Sequence, residues 1–212
     1  MSVSRRHWTR GCLAVAALAW PVLLAAQSMN MSMNMSSTAP TPAQQAQLDS
    51  ARTLLAKYAD PFAAMRDGYF STVACVEYPQ GGALGEEHFV PGGMGVHFLN
   101  AGLIGQQPNP AHPQVLIYEW DHDTLKLAAA EWFVPAQGVT TPPQIFGQTL
   151  KGPMHGHAPI MPHEFAHFDL HVWLWKNNPA GIFSSTNPDM HCADGRYTIR
   201  DDHPSLVGAH EH

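Results

Sequence analysis

Histidine is concentrated in one short stretch of the chain, where five imidazoles fall between residues 155 and 171. Neutral imidazole is a common ligand for zinc and copper. Gly156 would let the chain fold round an ion, and alternate residues of an extended chain would share one face. We therefore predict a metal site here, with a solvent-exposed polar loop as the alternative. The predicted ligands are His155, His157, His163, His167 and His171.

The same stretch contains His163-Glu164-Phe165-Ala166-His167, which matches the HExxH pattern of zinc proteases. In those enzymes both histidines lie on one helical face and the glutamate acts as general base. Here a strand-like alternation of apolar residues begins at Phe168 and leaves barely one turn for a helix. The context therefore argues against a zinc protease.

Methionine is concentrated in a second stretch, residues 27–41, where it alternates with Asn and Ser. This low-complexity composition predicts a flexible arm, because it offers too little varied apolar surface to pack. Soft thioether sulfur suits Cu(I), so copper ranks ahead of zinc as the predicted metal. The alternative is a stub with no binding role. The four thioethers belong to Met29, Met31, Met33 and Met35.

A second candidate site combines one further histidine and two glutamates with His171, and each of the four lies in a strand-like segment: His97, Glu119, Glu131 and His171. If the four strands are neighbours, these side chains could converge on zinc, manganese, iron or copper. A glutamate could then act as a base if one coordination position stayed open. The alternative is that His–Glu pairs hold the strands together, since a buried carboxylate needs a partner. Sequence leaves this open, because the strand registers are unknown.

The elements that must position these groups begin with a helix. Thr41 can cap it, Pro42 suits its first position, and Gln44 completes a capping box. Asp60-Pro61 predicts a second short helix that ends near Asp67. Strand patterns then follow, and residues 121–124 predict a hairpin turn. The predicted strands are 70–78, 95–100, 114–120, 125–134 and 168–175, with a Pro- and Gly-rich loop at 135–162.

These elements predict an α+β fold, with N-terminal helices packed on a mostly antiparallel sheet or partly closed β-barrel. We expect residues 42–198 to form a single domain and residues 199–212 to form a C-terminal tail.

Residues 1–26 have the layout of a cleavable signal peptide. Arg5, Arg6 and Arg10 precede an apolar stretch over residues 13–24, and two alanines follow it. The apolar stretch is too short to span a bilayer comfortably, which disfavours the alternative of a membrane anchor. The sequence therefore predicts a periplasmic or secreted protein without stable membrane insertion after cleavage.

Cys75 and Cys192 would remain after cleavage. An even pair in an oxidising compartment predicts a disulfide, with metal ligation as the alternative. The formal net charge is −6 and would become more negative once the arginine-bearing segment is removed. Nucleic-acid and anionic-membrane partners are disfavoured, because both need a basic surface.

Four stretches taken together resemble a group of exported bacterial proteins of unassigned function. The resemblance covers roughly residues 68–192 and includes the positions of His97, Glu119, Glu131 and His171. It implies no activity, and neither the HExxH stretch nor the methionine arm belongs to the shared pattern. The stretches are residues 93–100 (GMGVHFLN), 116–119 (LIYE), 130–135 (AEWFVP) and 170–183 (LHVWLWKNNPAGIF).

Three functions follow from these observations. The first is an exported protein that binds copper or zinc through the His/Met-rich segment. The second is a metal-dependent enzyme with a His/Glu site inside the sheet. The third is a structural or interaction domain that holds no metal. A buried, convergent site with an open coordination position would favour the enzyme.

Overall fold

A computed structural model describes residues 39–84, 87–156 and 161–200 of the chain. The predicted signal peptide, the four arm methionines and His157 lie outside the described residues. Most of the predicted tail also lies outside them, although its first two residues, 199 and 200, belong to a strand.

The first helix, α1 (Pro42–Leu55), begins where the capping box predicts it. Gln44 donates its backbone N–H to Thr41 Oγ1 over 3.3 Å, and Thr41 donates its own N–H to Gln44 Oε1 over 2.9 Å. These two bonds satisfy backbone donors that a helix start leaves without internal partners. The sequence prediction of α1 is confirmed.

The second helix, α2 (Pro61–Arg66), follows a 3-10 turn and is capped by Asp60, whose carboxylate accepts the Phe62 N–H over 2.9 Å. It matches the predicted short helix. None of the helices in the described residues is both long and apolar enough to cross a membrane.

A curled seven-stranded sheet carries the rest of the fold, with strands numbered in chain order from β1 (Phe70–Tyr78) to β11 (Thr198–Arg200) and all ranges given at the end of this paragraph. The order of the strands in the sheet is β11-β1-β4-β5-β6-β10-β9. Neighbouring strands are antiparallel except β11, which runs parallel to β1. Two small hairpins, β2–β3 and β7–β8, stand apart from it. The α+β prediction is therefore confirmed. The strands are β1 (Phe70–Tyr78), β2 (Gly82–Leu84), β3 (Glu87–Phe89), β4 (Gly92–Leu99), β5 (Val115–Asp121), β6 (Thr124–Pro135), β7 (Gln144–Ile145), β8 (Gln148–Thr149), β9 (Lys151–Met154), β10 (His167–Val172) and β11 (Thr198–Arg200).

The predicted end of the last long strand is wrong. The last long strand ends at Val172, not at residue 175, because Trp173 donates its N–H to the Ile182 carbonyl instead of continuing the ladder. The described part of region 135–162 is mostly loop, as predicted, but it also contains three short strands, and β9 joins the main sheet beside β10. Its Pro and Gly content hid the β9 pairing, since Gly152-Pro153 lies inside that strand.

The sheet separates two chemically different faces. Strand alternation sends Phe98, Trp132 and Leu170 into the main apolar core, which also holds Leu48 and Leu55 of α1. In each strand, the residues immediately before and after these apolar residues point to the opposite face of the sheet. His97, Glu131 and His171 are such neighbours. These candidate ligands therefore lie on the face away from α1.

Cys75 and Cys192 form a disulfide with their Cα atoms 5.6 Å apart, as predicted. Cys75 lies on β1, where its N–H also bonds the Tyr197 carbonyl over 2.9 Å. The disulfide therefore fixes the irregular C-terminal segment to β1, the strand that pairs with β11.

Candidate metal centre

Three strands bring His97, Glu131 and His171 together. His171 on β10 lies directly opposite Glu131 on β6. Glu131 is also opposite Val115 on β5, and His97 on β4 is opposite Ile117 of the same strand. The histidine on β4 thus reaches the glutamate across the intervening strand. The three residues form a buried cluster drawn from segments far apart in sequence.

The donor atoms of this cluster are spaced as a metal site requires. The Nε2 atoms of His97 and His171 each lie 3.6 Å from Glu131 Oε2. All three ligand atoms lie within 4.8 Å of one another, and the imidazole planes are inclined by 85°. With bonds of about 2.0–2.1 Å, the ligand atoms of tetrahedral zinc are about 3.3 Å apart. A bound zinc ion would therefore draw the three ligand atoms closer together than they are here.

Burial makes a free carboxylate costly at this position. Glu131 is 5% exposed and His171 is 1% exposed, so little water reaches either group. Burial, and then the nearby Asp169 carboxylate, raise the pKa of Glu131 well above its ordinary value. Charge in such surroundings must be compensated, and a cation held between the three ligands would do so.

Asp169 lies close to two of the buried histidines. Its Oδ2 is 4.0 Å from His171 Nδ1, the ring nitrogen that does not face the glutamate, and 3.7 Å from His167 Nε2. Both Asp169 and His167 are buried. A carboxylate near the distal nitrogen of a histidine is the usual support for a metal-ligating ring, because it selects the tautomer and raises ligand basicity.

A cavity of about 230 Å³ adjoins the cluster, and all three candidate ligands line it. His167 and Asp169 line the same space, so the polar groups are concentrated around the candidate centre. The rest of the wall is mainly apolar and includes Met94, Leu99, Ile104, Val115, Phe133 and Phe165. The arrangement can hold an ion and leave room for a small molecule beside it.

The structure brings together three of the four residues predicted for the sheet site and leaves Glu119 elsewhere. Glu119 lies four residues beyond Val115 on β5, about 13 Å along an extended strand. There its carboxylate forms an ion pair with Lys176 Nζ at 2.8 Å. Glu119 is on the same face of β5 as the site, but it lies at the end of the strand next to the β5–β6 turn.

The His-rich segment is divided between the surface and the sheet. His155 and His163 stack with ring centroids 4.2 Å apart, and His155 Nδ1 lies 3.1 Å from the His163 carbonyl oxygen. His163 is exposed, whereas His167 and His171 are buried in β10. Within the described residues, the group of three or more ligating side chains is His97, Glu131 and His171, so a metal site built from the whole segment stays a prediction.

The HExxH pattern spans a turn and the start of a strand. His163 and Glu164 are in the turn, and His167 is the first residue of β10. The single helical face that a zinc protease needs is therefore not formed, in agreement with the sequence argument.

Sequence reasoning missed the cavity itself. The period-two pattern of β10 already placed Asp169 on the face of His171, so that neighbour could be found. Phe165 and Ile104 come from connecting segments, and nothing in their local sequence points to the centre.

The chain was compared with known protein families, with curated proteins and with solved structures. None of the three comparisons gives a match. The function is therefore inferred from the chemistry of the His97–Glu131–His171 centre.

Proposed function

We propose that this protein is a metal-dependent enzyme that binds one zinc ion through His97, Glu131 and His171. The observation that carries the proposal is the convergence of these three side chains, from three strands, within 4.8 Å. Two imidazoles and one carboxylate, with a fourth position open, form a common ligand set of catalytic zinc.

The chemistry of the donor set supports zinc over Cu(I). None of the three ligands carries sulfur, the donor that would select Cu(I). Two imidazoles and a carboxylate also suit non-haem Fe(II), so iron is the alternative that metal analysis of the purified chain would reveal.

The cavity supports an enzyme over a metal carrier. All three candidate ligands line it, and its volume of about 230 Å³ would hold a substrate next to the ion. Bound zinc polarises carbonyl groups and lowers the pKa of water. His167 and Asp169 line the same space and could hold or transfer a proton there.

Metal analysis of the untagged full chain tests the proposal. The expected result is about one zinc per chain, lost in Glu131→Gln and in His171→Ala. The matched control is His155→Ala combined with His163→Ala, which should keep the metal. Loss of zinc in this control variant alone would place the metal site in the surface loop. A chain that takes up no metal on titration would refute the proposal and leave a structural His–Glu cluster.

Export is the second part of the proposal. The Cys75–Cys192 disulfide supports it, because such bonds persist in oxidising compartments. Fractionation of cells that express the full chain should place the protein outside the cytoplasm, with the disulfide formed. A reduced, cytoplasmic protein would refute this part. Copper capture by the methionine arm stays a prediction, since those residues lie outside the described ones.

A further inference from the structure

We propose that the cavity beside the zinc centre binds a small uncharged molecule with a flat apolar body and one polar head, of the phenol class. This inference rests on the proposed function for the role of the head, which would contact the metal. The apolar part of the site stands on the cavity alone.

The wall of the cavity selects against charge. Away from the cluster it is built mainly from apolar side chains, among them Leu99, Val115 and Ile104. Among the described lining residues there is no Lys or Arg. With one zinc ion bound, the carboxylates Glu131 and Asp169 would already balance its charge, so an anionic ligand would add a negative charge that no Lys or Arg of the wall could pair with. A neutral ligand avoids this cost.

The shape of the wall favours a ring. Phe133 of β6 and Phe165 of the connection before β10 lie nearly parallel, with planes inclined by 11° and centroids 5.8 Å apart. The His167 ring also lies against Phe133 at 4.7 Å. A flat ligand can lie against such an aromatic wall with offset or edge contacts.

The volume limits the ligand to about one ring. An apolar protein cavity of about 150 Å³ is known to hold benzene. The 230 Å³ available here would take a ring with a small substituent. Because the polar side chains gather at the candidate centre, the ligand must direct its one polar atom there and its carbon body toward the phenylalanines.

Fluorine NMR on the full-length chain separates the two parts of the inference. The probes are 4-fluorophenol and fluorobenzene, each titrated into the zinc-loaded and the metal-free protein. We expect both to bind both forms, and zinc to tighten fluorophenol at least about tenfold while leaving fluorobenzene unchanged. Failure of both probes to bind either form would overturn the cavity proposal, even if one zinc per chain is found. Equal fluorophenol affinity with and without bound zinc would overturn the role of the head.

Matched substitutions locate the site. Ile104→Trp fills the cavity from its rim, whereas Leu103→Trp alters the adjacent residue, which packs against the core instead. We expect the first to weaken both probes about tenfold or more and the second to leave them unchanged. Leu99→Phe fills the cavity from β4 and replaces Ile104→Trp if that variant does not fold. Unchanged fluorobenzene affinity in a folded cavity-filling variant would overturn the assignment.

Discussion

Replacing Glu131 by glutamine separates a metal ligand from a structural ion-pair partner. The substitution keeps the size of a buried side chain that lies 3.6 Å from each of two imidazole nitrogens. It removes the carboxylate charge and most of the affinity for a metal ion. The two explanations of the cluster then predict opposite changes in stability.

The first magnitude follows from mass action. Zinc at 100 times its Kd would stabilise the wild-type protein by about 2.7 kcal/mol if only the folded chain binds it. For a domain of this size, each kcal/mol shifts Tm by about 2–4 °C, so zinc should raise Tm by about 5–11 °C. The glutamine variant should show little of this shift.

The second magnitude concerns the metal-free protein. Burial and Asp169 raise the pKa of Glu131, so the unfolded chain releases this proton at lower pH than the folded chain does. Below about pH 4.3 Glu131 is protonated in both states and does not change the free energy of unfolding. As the pH rises from there toward the folded pKa, Glu131 lowers the free energy of unfolding. Without metal at pH 7, Glu131→Gln should equal or exceed the wild type in stability. A structural ion pair would instead cost about 3–5 kcal/mol when broken.

The assay is thermal unfolding of both proteins, with zinc and with a chelator, at pH 5 and pH 7. We expect a zinc-dependent Tm shift in the wild type only, and a variant at least as stable as the wild type in chelator at pH 7. A variant that is several kcal/mol less stable in chelator, with no zinc shift in either protein, would refute the reasoning.

Three further changes test the support of His171 and the packing of the sheet. Asp169→Asn should weaken zinc affinity about 10- to 100-fold, measured by competition with a chelating dye, and unchanged affinity would exclude a supporting role. Gly95→Ala should cost about 1–3 kcal/mol in denaturant unfolding, because φ is +89° and an added Cβ would lie 2.6 Å from the Tyr118 carbonyl oxygen. Its control, Gly105→Ala, has φ +84° in open space and should cost less, so equal losses would exclude the steric explanation. Burial raises the pKa of Tyr118, whose hydroxyl donates to the Tyr58 carbonyl. In the unfolded chain this tyrosine ionises near pH 10. Tyr118 therefore contributes its full stabilisation below about pH 10, and this contribution is lost as the pH rises further. Tyr118→Phe should flatten this alkaline decline in Tm, and an unchanged slope would contradict the assignment.

Local signals in the sequence predicted much of the fold. The start of α1 depends on Thr41 and Gln44, which are three residues apart, and the side chain of each accepts a hydrogen bond from the other's backbone N–H. The pairing of Cys75 with Cys192 followed from an even count and the predicted compartment. Strand alternation placed the apolar residues of β6 and β10 on one face and Glu131 and His171 on the other. Each of these features can be recognised from residue types alone.

Only the tertiary structure decided which candidate ligands meet. His97 reaches Glu131 because β5 lies between their strands in a curled sheet, and β10 sets His171 directly opposite that glutamate. Glu119 had the right type and parity, yet its place along β5 pairs it with Lys176. Sequence cannot supply this choice, because a shift of register by one residue would turn a strand's polar side chains to the other face. Strand order, register and curl arise from contacts between distant segments, and they decide whether His97, Glu131 and His171 form a metal centre.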